Sequence, residues 1–219
     1  MDEHRTIYIL DDDESACESL AMMVSSLGYQ VQRFSSAEEF LSQLQPGVRG
    51  CIIADVKMEG ISGIDLVQRI TKEGINLPVV VVTGYADVSM AVQAMQAGAI
   101  TFLEKPCVAP EIQESIRISL EKEEQVHNSS LETAELRSRL ATLNDSEKLV
   151  LEKILEGKPN KVIKKELDIG LRTAELRRSN VMKKMQATSL AELVRMAVAA
   201  GITTESSTSS ETDSHLVAE

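Results

Sequence analysis

Residues 78–106 read PVVVVTGYADVSMAVQAMQAGAITFLEKP, and this stretch decides the fold. Four consecutive valines at 79–82 present apolar side chains in both directions. A strand of that kind is covered on both faces, as in a parallel sheet. An amphipathic helical pattern follows near 87–97, and a second apolar run, ITFLE, occupies 100–104. Working outward, TIYIL (6–10) and CIIA (51–54) read as further strands, with a weaker one at QVQRF (30–34). Helical segments lie between them near 15–27, 36–45 and 63–74, and a fifth begins at about 110. Five strands each followed by a helix predict an α/β fold, a five-stranded doubly wound parallel sheet. In such sheets ligands sit beyond the carboxyl ends of the strands, where strand order reverses.

The chain has 219 residues, 43% of them hydrophobic, enough for one large core or two small ones. Its net charge of −11 is uneven: residues 1–120 carry −9, 121–142 carry −2, 143–201 carry +4 and the last 18 carry −4. An acidic front and a basic back predict two domains with different partners. No apolar run of about 18 residues and no basic-then-apolar leader occurs, so neither a membrane span nor a secretion signal is expected. Cys17, Cys51 and Cys107 are odd in number and lack metal-ligand spacing, which reads as reduced thiols in a cytoplasmic protein.

From 111 to 143 the composition is helical, with Ile112, Ile116 and Leu120 on one face and Leu136, Leu140 and Leu143 forming a later seam. HNSS at 127–130 predicts a weak point between a long final helix and a linker helix. Four helical patterns without strands follow, at about 145–156, 159–167, 171–186 and 189–200, with Pro159 placed to open one of them. The expected division is a first domain over 1–122, a linker helix over 123–142, an all-α four-helix domain over 143–201 and a disordered polar tail over 202–219.

The chemistry sits at the strand ends. Asp11 and Asp12 end the first strand and Asp55 ends the third, so a parallel sheet projects all three into one crevice. Three carboxylates there need a cation, and oxygen-only ligands with room for water favour Mg²⁺ or Mn²⁺ over zinc. Thr83 closes the valine strand with a hydroxyl, and Lys105 follows the last strand with an ammonium. A carboxylate can attack phosphorus, while a divalent ion, an ammonium and a hydroxyl stabilise the equatorial oxygens. Asp55 stands alone on its strand and is the expected nucleophile; Asp11 and Asp12 are the expected metal anchor. Asp13 and Glu14 read as ordinary helix-start residues.

These features, with ILDDD, ADVKMEGISGIDL and VVVVTGYADVSMAVQAMQAGAITFLEKP over about residues 4–122, resemble the receiver domain of two-component response regulators. The resemblance implies a flavodoxin-like receiver in which a histidine kinase donates a phosphoryl group to Asp55. It implies that Asp12 binds Mg²⁺ directly, Asp11 acts through it, and the main-chain carbonyl of Lys57 completes the protein ligands. Thr83 and Lys105 would hold the phosphoryl oxygens, Phe102 would be the aromatic switch, and Lys105–Pro106 would be cis. Phosphorylation would remodel the face of the fourth helix, fifth strand and fifth helix, through which family members commonly dimerise. One departure shows: the family's loop often reads Met-Pro where this chain has Met58-Glu59. The expectation is a looser loop, added negative charge near the metal, and altered kinetics.

Residues 158–184 hold nine Lys/Arg against three acids, a net +6 that suits phosphates. An aromatic content of 3% argues against single-strand binding by base stacking. GKPNKVIKKEL, RTAELRRSNVMKKM and SLAELVRMA, over about 143–200, resemble the LuxR-type helix-turn-helix of the NarL/FixJ class. By that resemblance the helix from about Leu171 enters the major groove of duplex DNA. Glu175, Leu176 and Ser179 would face base edges; Lys161, Arg172, Thr173, Arg178 and Lys183 would hold phosphates. Departures are Lys164 for Ala at a close helix crossing, Asp168 for Gly, Gly170-Leu171 for Ser-Pro, and Asn144-Asp145 for Thr-Pro. A left-handed Asp168 would cost on the order of 1 kcal/mol, and a lost cap at Gly170 roughly 1 kcal/mol.

The leading expectation is a regulator, not an enzyme, that changes dimerisation, DNA binding and transcription when Asp55 is phosphorylated. The alternative is a regulator whose degenerate C-terminal domain binds a protein partner. A phosphohydrolase of the haloacid dehalogenase type is a third reading, since Asp11-x-Asp13 imitates its aspartate pair, but the later acidic motif and cap are missing.

Overall fold

A computed structural model describes residues 5–85 and 87–202. The tail expected to be disordered over 202–219 lies, but for Ile202, outside the described residues. The strands are β1 (Thr6–Leu10), β2 (Gln30–Phe34), β3 (Gly50–Asp55), β4 (Val79–Thr83) and β5 (Thr101–Glu104). All pairings are parallel and the order is β2-β1-β3-β4-β5. β1 therefore has β2 on one side and β3 on the other, which places the reversal of strand order at the ends of β1 and β3.

Alternation along the strands divides the core. Tyr8, Leu10, Ile52, Ala54, Val79 and Val81 face α2 (Ala37–Gln43), α3 (Gly63–Lys72) and α4 (Val88–Ala97), meeting Phe40, Leu66, Val67, Ile70 and Ala94. Ile7, Ile9, Cys51, Ile53, Val80 and Val82 face the other way, against Cys17, Leu20 and Val24 of α1 (Glu14–Ser26) and Ile112 and Ile116 of α5 (Ala109–Ala141). The valine run is thus buried on both sides of the sheet, the reason it lacks polar alternation. At the opposite end from the strand tips, the Arg49 guanidinium grips Glu123 of α5 through bonds of 2.8 and 3.0 Å, and Asn76 donates to the Glu123 carbonyl at 3.0 Å. Glu123 is buried, so these bonds offset its desolvation.

The weak point expected at 127–130 does not form. α5 continues unbroken from Ala109 to Ala141. Asn128, Ser129 and Ser130 each cost only a fraction of a kcal/mol in a helix, and strong formers such as Glu, Lys and Leu flank them.

The described chain divides into two compact units between residues 129 and 130. The second unit holds α6 (Asp145–Leu155), α7 (Asn160–Glu166), α8 (Leu171–Met185) and α9 (Leu190–Ala199) around Leu143, Val150, Ile154, Ile163, Ala174, Val181, Met185 and Leu193. Asn144 and Glu147 form a complete capping box at the start of α6. Buried Glu147 also accepts the Lys184 ammonium at 2.6 Å, which joins α6 to α8. Pro159 is the N-cap of α7, one residue before its first turn, where its missing N–H costs nothing.

Candidate functional site

The four consecutive acids at 11–14 are tolerable because the first three have different partners. Asp13 caps α1, its Oδ1 accepting from the N–H groups of Ser15 and Ala16 at 2.9 and 3.1 Å. Asp11 is 3% exposed and pairs with the Lys105 ammonium at 2.6 Å. Asp12 is exposed, and its Oδ2 accepts the Glu59 N–H at 3.1 Å.

Asp55, at the tip of β3, is 6% exposed. Its Oδ1 lies 2.6 Å from the same Lys105 ammonium and its Oδ2 accepts the Lys57 N–H at 2.5 Å. One cation therefore bridges the ends of β1 and β3. A Cβ on Gly63 would sit 2.2 Å from the Asp55 carbonyl oxygen, so only glycine lets α3 start this close to the strand tip. Lys105 directly follows β5, its bond to Pro106 is cis, and its own N–H donates to the Thr83 carbonyl at 2.8 Å. Burial pushes the Asp11 carboxyl up, against the pull of Lys105. Burial also draws the Lys105 ammonium down, but its bonds to Asp11 and Asp55 outweigh this and hold it above its ordinary value. Lys105 therefore stays charged at neutral pH.

Thr83, 1% exposed, ends β4 beside this pair of strand tips. Its Oγ accepts the Tyr85 N–H at 3.3 Å, leaving the hydroxyl proton for another acceptor. The Lys57 ammonium lies 4.5 Å from the centre of the Tyr85 ring. Phe102 is half-buried against the core on the α3 and α4 face. An open cleft of about 470 Å³ adjoins Asp11 and Asp12 and is lined also by Arg33, Phe34 and Ser35 at the end of β2.

Asp11, Asp55 and Lys105 are thus brought together, with Thr83 on the adjoining strand. Among the described residues, however, no three His, Cys, Asp or Glu side chains converge as a closed metal cage would. The donors still suit a hard divalent ion: all are oxygens, the ammonium meets only Asp11 and Asp55, and Asp12 is held apart by the Glu59 N–H. Mg²⁺ keeps several waters and needs no closed cage. Sequence reasoning missed three backbone donors, the N–H groups of Lys57, Glu59 and Tyr85. No side-chain identity announces them. The loop expected to loosen without proline is in fact fastened, since Glu59 supplies an N–H that proline lacks.

In the second unit, Lys161, Arg172, Thr173, Glu175, Ser179 and Lys183 are exposed, and Leu176 is 61% exposed. Arg178 is half-buried and donates to Asn160 Oδ1 at 3.4 Å, tying α8 to α7. Two other cations of the basic segment are spent internally, Lys184 on Glu147 and Lys158 on Glu156 and Glu166. Lys164 is exposed, its ammonium carried outward from the helix crossing. Asp168 is left-handed at φ +48°, and Gly170 caps α8 with no side-chain bond.

A parallel five-stranded sheet with buried acids and a lysine at its strand tips, followed by a four-helix unit, defines a receiver coupled to a helix-turn-helix module. Comparison with known proteins agrees. Residues 7–117 match the response regulator receiver domain model, and residues 141–197 match that of bacterial regulatory proteins of the luxR family. The transcriptional regulatory protein FixJ of Azorhizobium caulinodans is 42% identical over 202 residues, covering 92% of this chain and 96% of that protein. FixJ of Rhizobium meliloti is 43% identical, covering 90% and 96%. Among solved structures, the response regulator StyR superposes with a TM-score of 0.79 at 33% identity, covering 89% of this chain and 98% of its own. Full-length FixJ from B. japonicum gives 0.54 at 40% identity, covering 90% and 97%. The chain belongs to the response regulators of the NarL/FixJ family, phosphorylation-controlled regulators of transcription. That membership disfavours both the protein-binding alternative and a phosphohydrolase. No helix among the described residues is long and apolar enough to cross a membrane.

Proposed function

We propose that Asp55 is the phosphoacceptor and that a histidine kinase is the donor. The Asp55 carboxylate oxygen attacks phosphorus, a P–O bond forms, and the bond from phosphorus to the kinase imidazole breaks. The observation that carries this reading is the Lys105 ammonium held 2.6 Å from both Asp11 and Asp55, a half-buried cation where phosphoryl oxygens would gather. A divalent ion, Mg²⁺ or Mn²⁺, would be held by Asp11, Asp12, Asp55 and the Lys57 carbonyl, and when bound would neutralise charge on the phosphoryl oxygens. Lys105 holds one phosphoryl oxygen and the Thr83 hydroxyl donates to another. Thr83 moves inward as it does so, and half-buried Phe102 turns into the space it leaves.

The consequence is a new surface beside α4, where Val88, Val92 and Met95 are already exposed. Dimerisation through that face pairs two copies of the second unit. Exposed Glu175, Leu176 and Ser179 then read base edges in the major groove of duplex DNA, while Lys161, Arg172, Thr173 and Lys183 hold phosphates. Arg178 does so less freely because of Asn160. In this reading the receiver occupies 1–122, a linker helix 123–142 and the DNA-binding domain 143–201. The protein acts as a cytoplasmic regulator rather than an enzyme.

The test is binding of the full chain to mixed genomic fragments, with and without a small phosphodonor and Mg²⁺. Donor treatment should tighten binding and raise the scattering mass to a dimer in the wild type, and do neither in Asp55→Asn. Equal responses in both chains would refute the assignment.

A further inference from the structure

We infer that the Glu59 N–H is a latch on Asp12, so that this chain's β3–α3 loop, not its acids alone, sets its affinity for a divalent ion. The inference rests on the metal site proposed above.

The loop is fastened at three points to three carboxylates. The Lys57 N–H donates to Asp55 at 2.5 Å, the Glu59 N–H to Asp12 at 3.1 Å, and the Ile61 N–H to Glu38 at 2.8 Å. Gly60 stands between the last two at φ +79°, and a Cβ there would lie 2.3 Å from Glu38 Oε1. The positive φ favours glycine here, and any larger residue would also push the Glu38 carboxylate away from the loop. Glu38 therefore keeps the Glu59 N–H aimed at Asp12.

Asp11 and Asp55 are drawn together by a shared ammonium, but Asp12 is held through its Oδ2 by the loop instead. No three acidic side chains among the described residues converge in that arrangement. For Asp12 to join Asp11 and Asp55 around one ion, its carboxylate must give up part or all of the bond to Glu59. Proline at 59, the residue the wider family often places there, has no N–H and would leave Asp12 free. A bond to a carboxylate at the rim is worth about a threefold to tenfold change in affinity.

The test uses the full chain and two substitutions at one exposed position. Glu59→Ala keeps the N–H and removes the carboxylate, whereas Glu59→Pro removes both. Isothermal titration with Mg²⁺ should show Glu59→Pro binding about three to ten times more tightly than Glu59→Ala. Equal affinity would overturn the latch, and so would weaker binding, which would mean that the bond prepositions Asp12. If the wild type and both variants bind no Mg²⁺, the metal reading itself falls. A readout that needs no proline is amide exchange at Glu59 in the wild type. Saturating Mg²⁺ should speed that exchange, and unchanged protection would overturn the inference.

Discussion

The two units use charge in opposite ways. At the strand tips of the first, Asp11, Asp55 and Thr83 are all under 10% exposed, and the two carboxylates share one ammonium. On α8 of the second, Arg172, Glu175, Ser179 and Lys183 stand in solvent, spread along the helix. Chemistry at a single phosphorus atom needs groups within hydrogen-bond reach in a site that limits water. Recognition of a polymer instead needs charge spread over many phosphates, each releasing its own counterions. The departures from family pattern follow the same division. The first unit keeps every group that would touch the phosphoryl, and its one change is in a loop. The second accepts a left-handed Asp168 and an uncapped α8, since neither residue need touch a base.

The largest expected effect separates the units by metal. Chelating divalent ions should abolish phosphoryl uptake, a loss of at least about 100-fold, because charge on the phosphoryl oxygens would go unneutralised. The DNA binding of the unphosphorylated chain should change little under the same chelation, as followed on labelled fragments at fixed ionic strength. A parallel collapse of both would erase the distinction. The next effect should run the other way. Replacing Arg172 and Lys183 together by Ala should weaken DNA binding by about tenfold to 100-fold and lower the salt slope by about two, with phosphoryl uptake intact. A preserved slope would remove these two residues from the phosphate set.

The smallest effect concerns stability. Asp168→Gly relieves a side chain held at φ +48° and should raise the unfolding free energy of the full chain by about 1 kcal/mol, read as a shift in the urea midpoint of the second unit's transition. No shift would mean that Asp168 makes a compensating contact. Gly170 needs a smaller figure than its missing side chain suggests. Glycine at an N-cap leaves the N–H groups open to water, so the loss relative to serine is only a few tenths of a kcal/mol.

Much of this was legible in the sequence because strand ends are legible. The run at 79–82 reads as a strand buried on both faces, and that places Thr83 and Lys105 at strand ends. The order of Asp11, Asp55, Thr83 and Lys105 along the chain then matched the order in which the strands deliver them. Backbone donors were not legible, because every residue except proline has an N–H and only the fold aims it. Pairings across long separations were hidden for a related reason. Lys184 counted as free positive charge until Glu147, buried at the start of α6, claimed it. Arg178, which the resemblance places on phosphate, likewise has a partner in Asn160 that no local pattern announces. Three weak helix formers at 128–130 look like punctuation in the sequence, yet no glycine or proline stops α5 there.

Whether Asp55 takes the phosphoryl group is decided by intact-mass spectrometry. The full chain, incubated with a small phosphodonor and Mg²⁺, should gain the mass of one phosphoryl group, with fragmentation placing it on Asp55. Asp55→Asn should gain none. Full labelling of Asp55→Asn, or a phosphoryl group found on another side chain of the wild type, would contradict the account.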